Sequence, residues 1–221
     1  MVDQKIIKFL QQIQKHNNKQ WFDGHRKDYE AAREDFLQLV QQVLTLLGKI
    51  DADLAMLTAK ECVFRINRDV RFSKNKDPYK SNMSAYFNRA GKKGLGAGYY
   101  LHIEPGKSFV AAGVWMPEAA ALKKIRQEID YNFKDWHNIL QKSSFKKKIT
   151  NGIDNSNSLV RPPKGYEEDN AAIEFLKLKS FVVSRSLSNE EITSKAFLKE
   201  LAATFKEAKP VVDFINIALE D

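Results

Sequence analysis

Two short runs of alternating apolar and polar character, Tyr99–Ile103 and Ser108–Met116, meet at Glu104-Pro105-Gly106-Lys107. Proline then glycine at the central positions is the signature of a type II turn: proline presets a negative φ and glycine tolerates the positive φ that follows. A tight turn between two alternating runs predicts an antiparallel hairpin with one register. With Glu104 opposite Lys107, His102 faces Phe109, Tyr100 faces Ala111 and Gly98 faces Gly113. Successive side chains point to opposite faces. One face then holds Tyr99, Leu101, Ile103, Val110, Val114 and Met116, a core face. The other holds Tyr100, His102, Glu104, Phe109 and Trp115, with Ala111 and Gly113 between them. Polar and aromatic groups around small residues have the character of a ligand site. A solvated or helix-covered face is the alternative.

Around this hairpin the apolar period is helical. Ile6, Ile7, Leu10 and Ile13 predict an amphipathic helix over 3–15. Phe36, Leu37, Val40, Val43, Leu44 and Leu47 predict a longer one from Asp28 to Leu47, with Gly48 as its stop. Shorter alternating stretches, Cys62–Ile66 and Met83–Asn88, predict strands. Pro117 opens a helix carrying Leu122, Ile125 and Ile129, and a second piece carries Phe133, Trp136 and Leu140. Residues 151–165, rich in Asn, Ser, Pro and Gly, predict a long loop. A helix near Asn170–Leu176, a strand over Ser180–Ser184 and two helices, Ser194–Lys206 and Pro210–Leu219, complete the chain. The order predicts an α+β fold: one domain over 1–221, with a mainly antiparallel central sheet packed by N-terminal and C-terminal helices.

The charge is concentrated. Between Lys60 and Lys93 stand ten basic and three acidic residues, so this stretch carries +7 of the chain's +8. Such a field predicts an anionic partner. Within it lies Phe64-Arg-Ile-Asn-Arg-Asp-Val-Arg-Phe72, followed by Asp77-Pro-Tyr-Lys80. As one strand it would send Phe64, Ile66, Val70 and Phe72 to the core and Arg65, Asn67, Asp69 and Arg71 outward. Arg68 breaks the alternation and predicts a bend or bulge near Asn67–Asp69. The rigid fork of arginine grips phosphate or carboxylate in two places.

Other chemistries find no support. The histidines His16, His25, His102 and His137 and the single Cys62 do not form a metal-ligand spacing. Gly94-Leu-Gly96-Ala-Gly98 precedes a strand, the reverse of a dinucleotide fingerprint, and no Walker sequence or Gly-x-Ser-x-Gly elbow occurs. No metal or cofactor is expected. No apolar run approaches the roughly 18 residues of a membrane span, and the opening residues have no secretory core. With one cysteine that reads as a small buried hydrophobe, these features predict a cytoplasmic protein without a membrane partner.

Several stretches together resemble one family, widespread in bacteria and found in fungi, known as domain of unknown function 2461. They are Asn17-Asn-Lys-Gln-Trp-Phe22, Phe64–Lys74, Pro78-Tyr-Lys80, Gly98–Glu104, Val114-Trp-Met-Pro117, and Arg161-Pro-Pro-Lys-Gly165 onward to Lys179-Ser-Phe181. The similarity covers nearly the whole chain and implies one domain. It carries over no activity and no catalytic residue. Family members often read Asp-His-Pro where this chain has Asp169-Asn170-Ala171, so a function served by that histidine would be missing here.

Three functions stay open. The first is a pocket for a phosphate- or carboxylate-bearing small molecule, built from Arg65, Arg68, Arg71, Tyr79, Lys80 and Tyr100. If the protein is an enzyme, His102 is the candidate proton carrier, with Glu104 orienting it or sharing the role. The second is an interaction or structural module whose arginines form an ion-pair network. The third is nucleic-acid binding, with cations on phosphates and Tyr79, Tyr86, Phe87 and Tyr100 stacking on bases.

Overall fold

The computed structural model describes residues 1–220. Its helices are α1 (Gln4–Lys15), α2 (Lys19–Gly24), α3 (Arg26–Leu47), α4 (Ala59–Cys62), α5 (Ala119–Tyr131), α6 (Phe133–Gln141), α7 (Ser143–Lys148), α8 (Ile173–Leu176), α9 (Asn189–Thr193) and α10 (Phe197–Glu220). Four strands, β1 (Met83–Phe87), β2 (Gly98–Ile103), β3 (Ser108–Val114) and β4 (Phe181–Leu187), form one antiparallel sheet in the order β1-β2-β3-β4. The fold is α+β.

The hairpin forms as its turn residues dictate. Lys107 donates its backbone N–H to Glu104 O at 2.9 Å, and Gly106 takes φ +76°. Tyr99, Leu101, Ile103 and Val110 are buried. The alternation stops at Val114, not Met116. Met116 is 46% exposed, with φ +47°, and its N–H is held by Ser180 Oγ at 2.9 Å. Trp115 is 75% exposed.

The chain divides into two compact units. One comprises Met1–Lys92, Tyr100–Val110 and Ser186–Ala202. In it α1 packs on α3, burying Ile6, Ile7, Phe9, Leu10 and Ile13 from the first helix and Phe36, Val40, Val43, Leu44 and Leu47 from the second. Asn18 caps α2 by accepting the Trp21 N–H at 2.9 Å, as a short polar side chain does at a helix start. The rings of Trp21 and His25 stack at 4.1 Å. Phe22 stacks on Tyr79 at 4.0 Å. The stretch Asn17–Phe22 thus seats one helix and one aromatic stack.

The expected strand Cys62–Ile66 does not form. Cys62 ends α4 and is buried, where burial pushes its thiol up to a pKa of about 11. Val63 and Asn67 instead make isolated antiparallel bridges to Ala85 and Tyr79. Phe72, expected in the core, is 95% exposed. The inward alternation therefore ends at Ile66, because beyond Arg68 the segment has left its partner and no sheet remains for it to pack on.

The other unit comprises Lys93–Tyr99, Ala111–Arg185 and the chain from Ala203 onward. Its core gathers Phe175, Phe181 and Phe214 around the buried Trp136, and Tyr99 meets Phe205 edge-on at 5.2 Å. Two readings change. The two expected closing helices are mostly one, α10, which continues through Pro210. A proline in a helix interior loses a hydrogen bond, but Phe205, Ala208, Val211, Val212 and Ile215 are buried on both sides of it. Burial at that scale outweighs the lost bond. The expected loop 151–165 begins as an edge partner of β4: Asp154 donates to Val182 O at 2.8 Å, Asn151 to Ser184 O at 3.1 Å, and Ile153 bridges Val183. Gly113, one of the small residues on the candidate ligand face, is packed tightly. Its φ is +121°, and a Cβ there would lie 1.9 Å from Phe181 O, so the glycine admits the neighbouring backbone.

Candidate functional site

The basic segment runs antiparallel to residues 78–85 in a broken ladder. Phe64 N–H donates to Ser84 O at 3.0 Å, Lys80 N–H to Ile66 O at 2.8 Å, and Arg68 N–H to Pro78 O at 2.9 Å. From the first pair to the second, the segment from Phe64 advances two residues while its partner advances four. Two extra residues therefore bulge on the partner side, around Ser81–Met83, not at Asn67–Asp69 as the sequence suggests. A bulge re-aims side chains, and this one sets Ser81 and Asn82 beside Lys80.

Tyr79 is clamped from α1's trailing loop. Asn17 Nδ2 donates to Tyr79 O at 2.9 Å, and Asn17 Oδ1 accepts the Tyr79 N–H at 3.0 Å. Beside the clamp lies a cleft of about 330 Å³. Its walls come from Gln14 and Asn17, from Arg68, and from the run Asn75 to Asn82 without Lys76 and Pro78. The basic side chains lining it are Arg68 and Lys80. Arg68 braces the turn below it, donating from Nη1 to Asp77 O at 3.2 Å and from Nη2 to Ser73 Oγ at 3.3 Å. Lys80 Nζ lies 5.2 Å from the centre of the Phe64 ring. Among the described residues neither cation pairs with a carboxylate. Burial, with Arg65 nearby, lowers the Lys80 pKa, which marks an ammonium short of negative charge.

Behind the cleft runs a line of hydrogen bonds along β2. Glu104 Oε1 accepts from Ser81 Oγ at 2.8 Å and, at a long 3.5 Å, from Gln14 Nε2. Glu104 Oε2 lies 3.0 Å from His102 Nε2. His102 Nδ1 lies 3.0 Å from the Tyr100 hydroxyl, which also bonds Ser84. Burial works to raise the Glu104 pKa, but bonds from His102 and Ser81 outweigh it and hold the carboxyl below its usual range. An ionised carboxylate only accepts, so His102 carries its proton on Nε2 and its bare Nδ1 takes the Tyr100 proton. Burial lowers the His102 pKa against the opposing pull of Glu104, consistent with a neutral ring. Burial raises the Tyr100 pKa. Phe109 stacks on His102 at 4.7 Å and closes its face.

The expected site residues therefore separate. Arg68, Tyr79 and Lys80 meet at the cleft. Tyr79 is buried under Phe22 and presents little ring. Tyr100, His102 and Glu104 form the supporting line and do not line the cleft. The His102 and Glu104 side chains are only 12% and 16% exposed. Arg71 turns away and grips Asp69 with Nε at 3.0 Å and Nη2 at 2.7 Å. Arg65 is exposed outside the lining. Of the rings expected to stack on bases, Tyr79 and Phe87 are buried. Sequence reasoning missed Gln14, Asn17, Asn75, Asp77, Ser81 and Asn82. Asn17 lay inside a motif shared with the family, and Ser81 follows another directly, which was the available signal. Asn170, which the resemblance marks as a departure, lies in the other unit, donating to Asp130 Oδ1 at 2.6 Å.

Fold and site define an α+β protein with a small polar cleft held by a broken strand pair. The chain belongs to the family described as Conserved hypothetical protein (DUF2461), whose model matches residues 5–214. No curated protein and no solved structure matches it. Among the described residues no helix is long and apolar enough to cross a membrane, and no cluster of His, Cys, Asp or Glu has the make-up of a metal site.

Proposed function

We propose that the cleft binds a small anion bearing a phosphate or carboxylate. The observation that carries this reading is that Arg68 and Lys80 line one cleft and neither has a carboxylate partner. Charged side chains in partly buried positions are normally paired, and an arriving anion supplies the missing charge. At about 330 Å³ the cleft suits a small metabolite better than a dinucleotide. His102 and Glu104 act here as support for the wall, with no assigned proton transfer. The test is a thermal-shift screen of phosphates, sugar phosphates and carboxylates at matched ionic strength. A selective rise that disappears in Arg68→Ala and Lys80→Ala supports the reading. Equal curves for all anions in all three proteins reject it.

One observation favours a second reading, nucleic-acid binding by the loop itself. Phe72 stands 95% exposed between Arg71 and Lys74, an arrangement suited to stacking on an unpaired base. Binding to single-stranded probes would weaken steeply with salt and be lost in Phe72→Ala.

A further inference from the structure

The cleft has a hydrogen-bond polarity as well as a charge, and the polarity describes the remainder of the ligand. Glu104, fully an acceptor, organises it. Ser81 has one hydroxyl proton and places it on Glu104 Oε1 at 2.8 Å. Its oxygen is left with lone pairs for whatever occupies the cleft that it lines. Gln14 turns an N–H to the same Oε1, which leaves its carbonyl oxygen as a second acceptor. Asp77 adds a carboxylate with no hydrogen bond among the described residues. Donors come from other residues: Arg68, Lys80 and the Asn75 amide, whose Oδ1 already accepts the Asp77 N–H at 2.8 Å. A bare anion satisfies the donors and leaves the acceptors idle. It would also press its charge on Ser81 lone pairs and on Asp77. A ligand carrying both an anionic group and a hydroxyl or amino group satisfies both sets.

We infer that the cleft takes an anion with a hydroxyl or amino donor close by, as in a hydroxy acid, an amino acid or a sugar phosphate. The anionic group sits on Arg68 and Lys80 and the donor on Ser81 Oγ. This rests on the anion reading above and narrows it. Glu104 is a positioning residue in it: by holding the Ser81 proton it keeps the serine an acceptor. The line behind Glu104 reinforces that state, since Tyr100 and His102 both pass their protons in its direction.

Matched probes differing by one hydroxyl test the inference: malate against succinate, and 2-hydroxypropyl phosphate against propyl phosphate. Dissociation constants are measured by titration calorimetry at matched ionic strength, on the wild type, Ser81→Ala and Arg68→Ala. One net hydrogen bond predicts that the donor-bearing member of a pair binds about five-fold tighter. Ser81→Ala should abolish that preference while leaving succinate or propyl phosphate affinity unchanged. Arg68→Ala should weaken every probe. Equal affinities within each pair in the wild type, or a preference that survives Ser81→Ala, overturn the inference and leave the anion reading standing. If no probe binds the wild type, the anion reading falls and takes the inference with it.

Discussion

Replacing Glu104 by alanine tests the line of hydrogen bonds behind the cleft. The carboxylate accepts from His102 Nε2 at 3.0 Å and Ser81 Oγ at 2.8 Å. In Glu104→Ala the His102 N–H is stranded beneath Phe109, where water does not readily replace its partner. A buried bond to an ionised acceptor contributes about 2 kcal/mol, and the half-buried Ser81 about 1 kcal/mol. The variant should therefore lose about 3 kcal/mol, or about 6–12 °C in Tm for a chain of this size. Urea titration should move the midpoint and leave m unchanged. His102→Phe keeps the stack on Phe109 and removes the stranded donor. The double variant should then be about 2 kcal/mol more stable than the sum of the single losses predicts. Additive losses, with a coupling below about 0.5 kcal/mol, would show that His102 and Glu104 do not depend on each other, and the account of the line would be wrong.

Acidity gives an independent check. Burial lowers the His102 pKa in the folded protein, so the unfolded chain binds this proton first as pH falls. Its contribution is present above the unfolded value of about 6.5 and is lost as pH falls toward the folded value. The stability gap between wild type and His102→Gln should narrow below about pH 6.5; a gap that widens would mean the folded state prefers a charged ring. Glu104, whose folded pKa is lowered, has its own loss at lower pH, below about 4.5. Asn17→Ala frees both backbone groups of Tyr79 and should cost about 2 kcal/mol, with Asn17→Asp retaining the acceptor half; unchanged melting curves would dismiss the clamp. Gly113→Ala forces a Cβ to 1.9 Å from Phe181 O at φ +121° and should cost more than about 3 kcal/mol, read by soluble yield and circular dichroism. A folded, near-wild-type Gly113→Ala would show that β3 and β4 do not approach as closely as described.

What could be read from residue order alone was what neighbours in the chain decide. The turn Glu104–Lys107 and the alternation beside it set the hairpin register, and with it the sharing of one face by Tyr100, His102 and Glu104. The amphipathic stripes of α1 and α3 were legible because helical periodicity is local. The concentration of charge pointed to the segment that supplies Arg68 and Lys80. Tertiary structure decided which of those cations share a cleft. Arg71 is taken by Asp69, Arg65 stays outside, and Phe72 is exposed because its strand partner has ended. It also decided the extra residues near Ser81, the reach of Asn17 to Tyr79 across 62 positions, the close approach at Gly113 and the continuity of α10 through Pro210. Each of these depends on groups distant in sequence competing for the same hydrogen bond or the same buried volume. Residue order lists the competitors, and packing settles which of them meet.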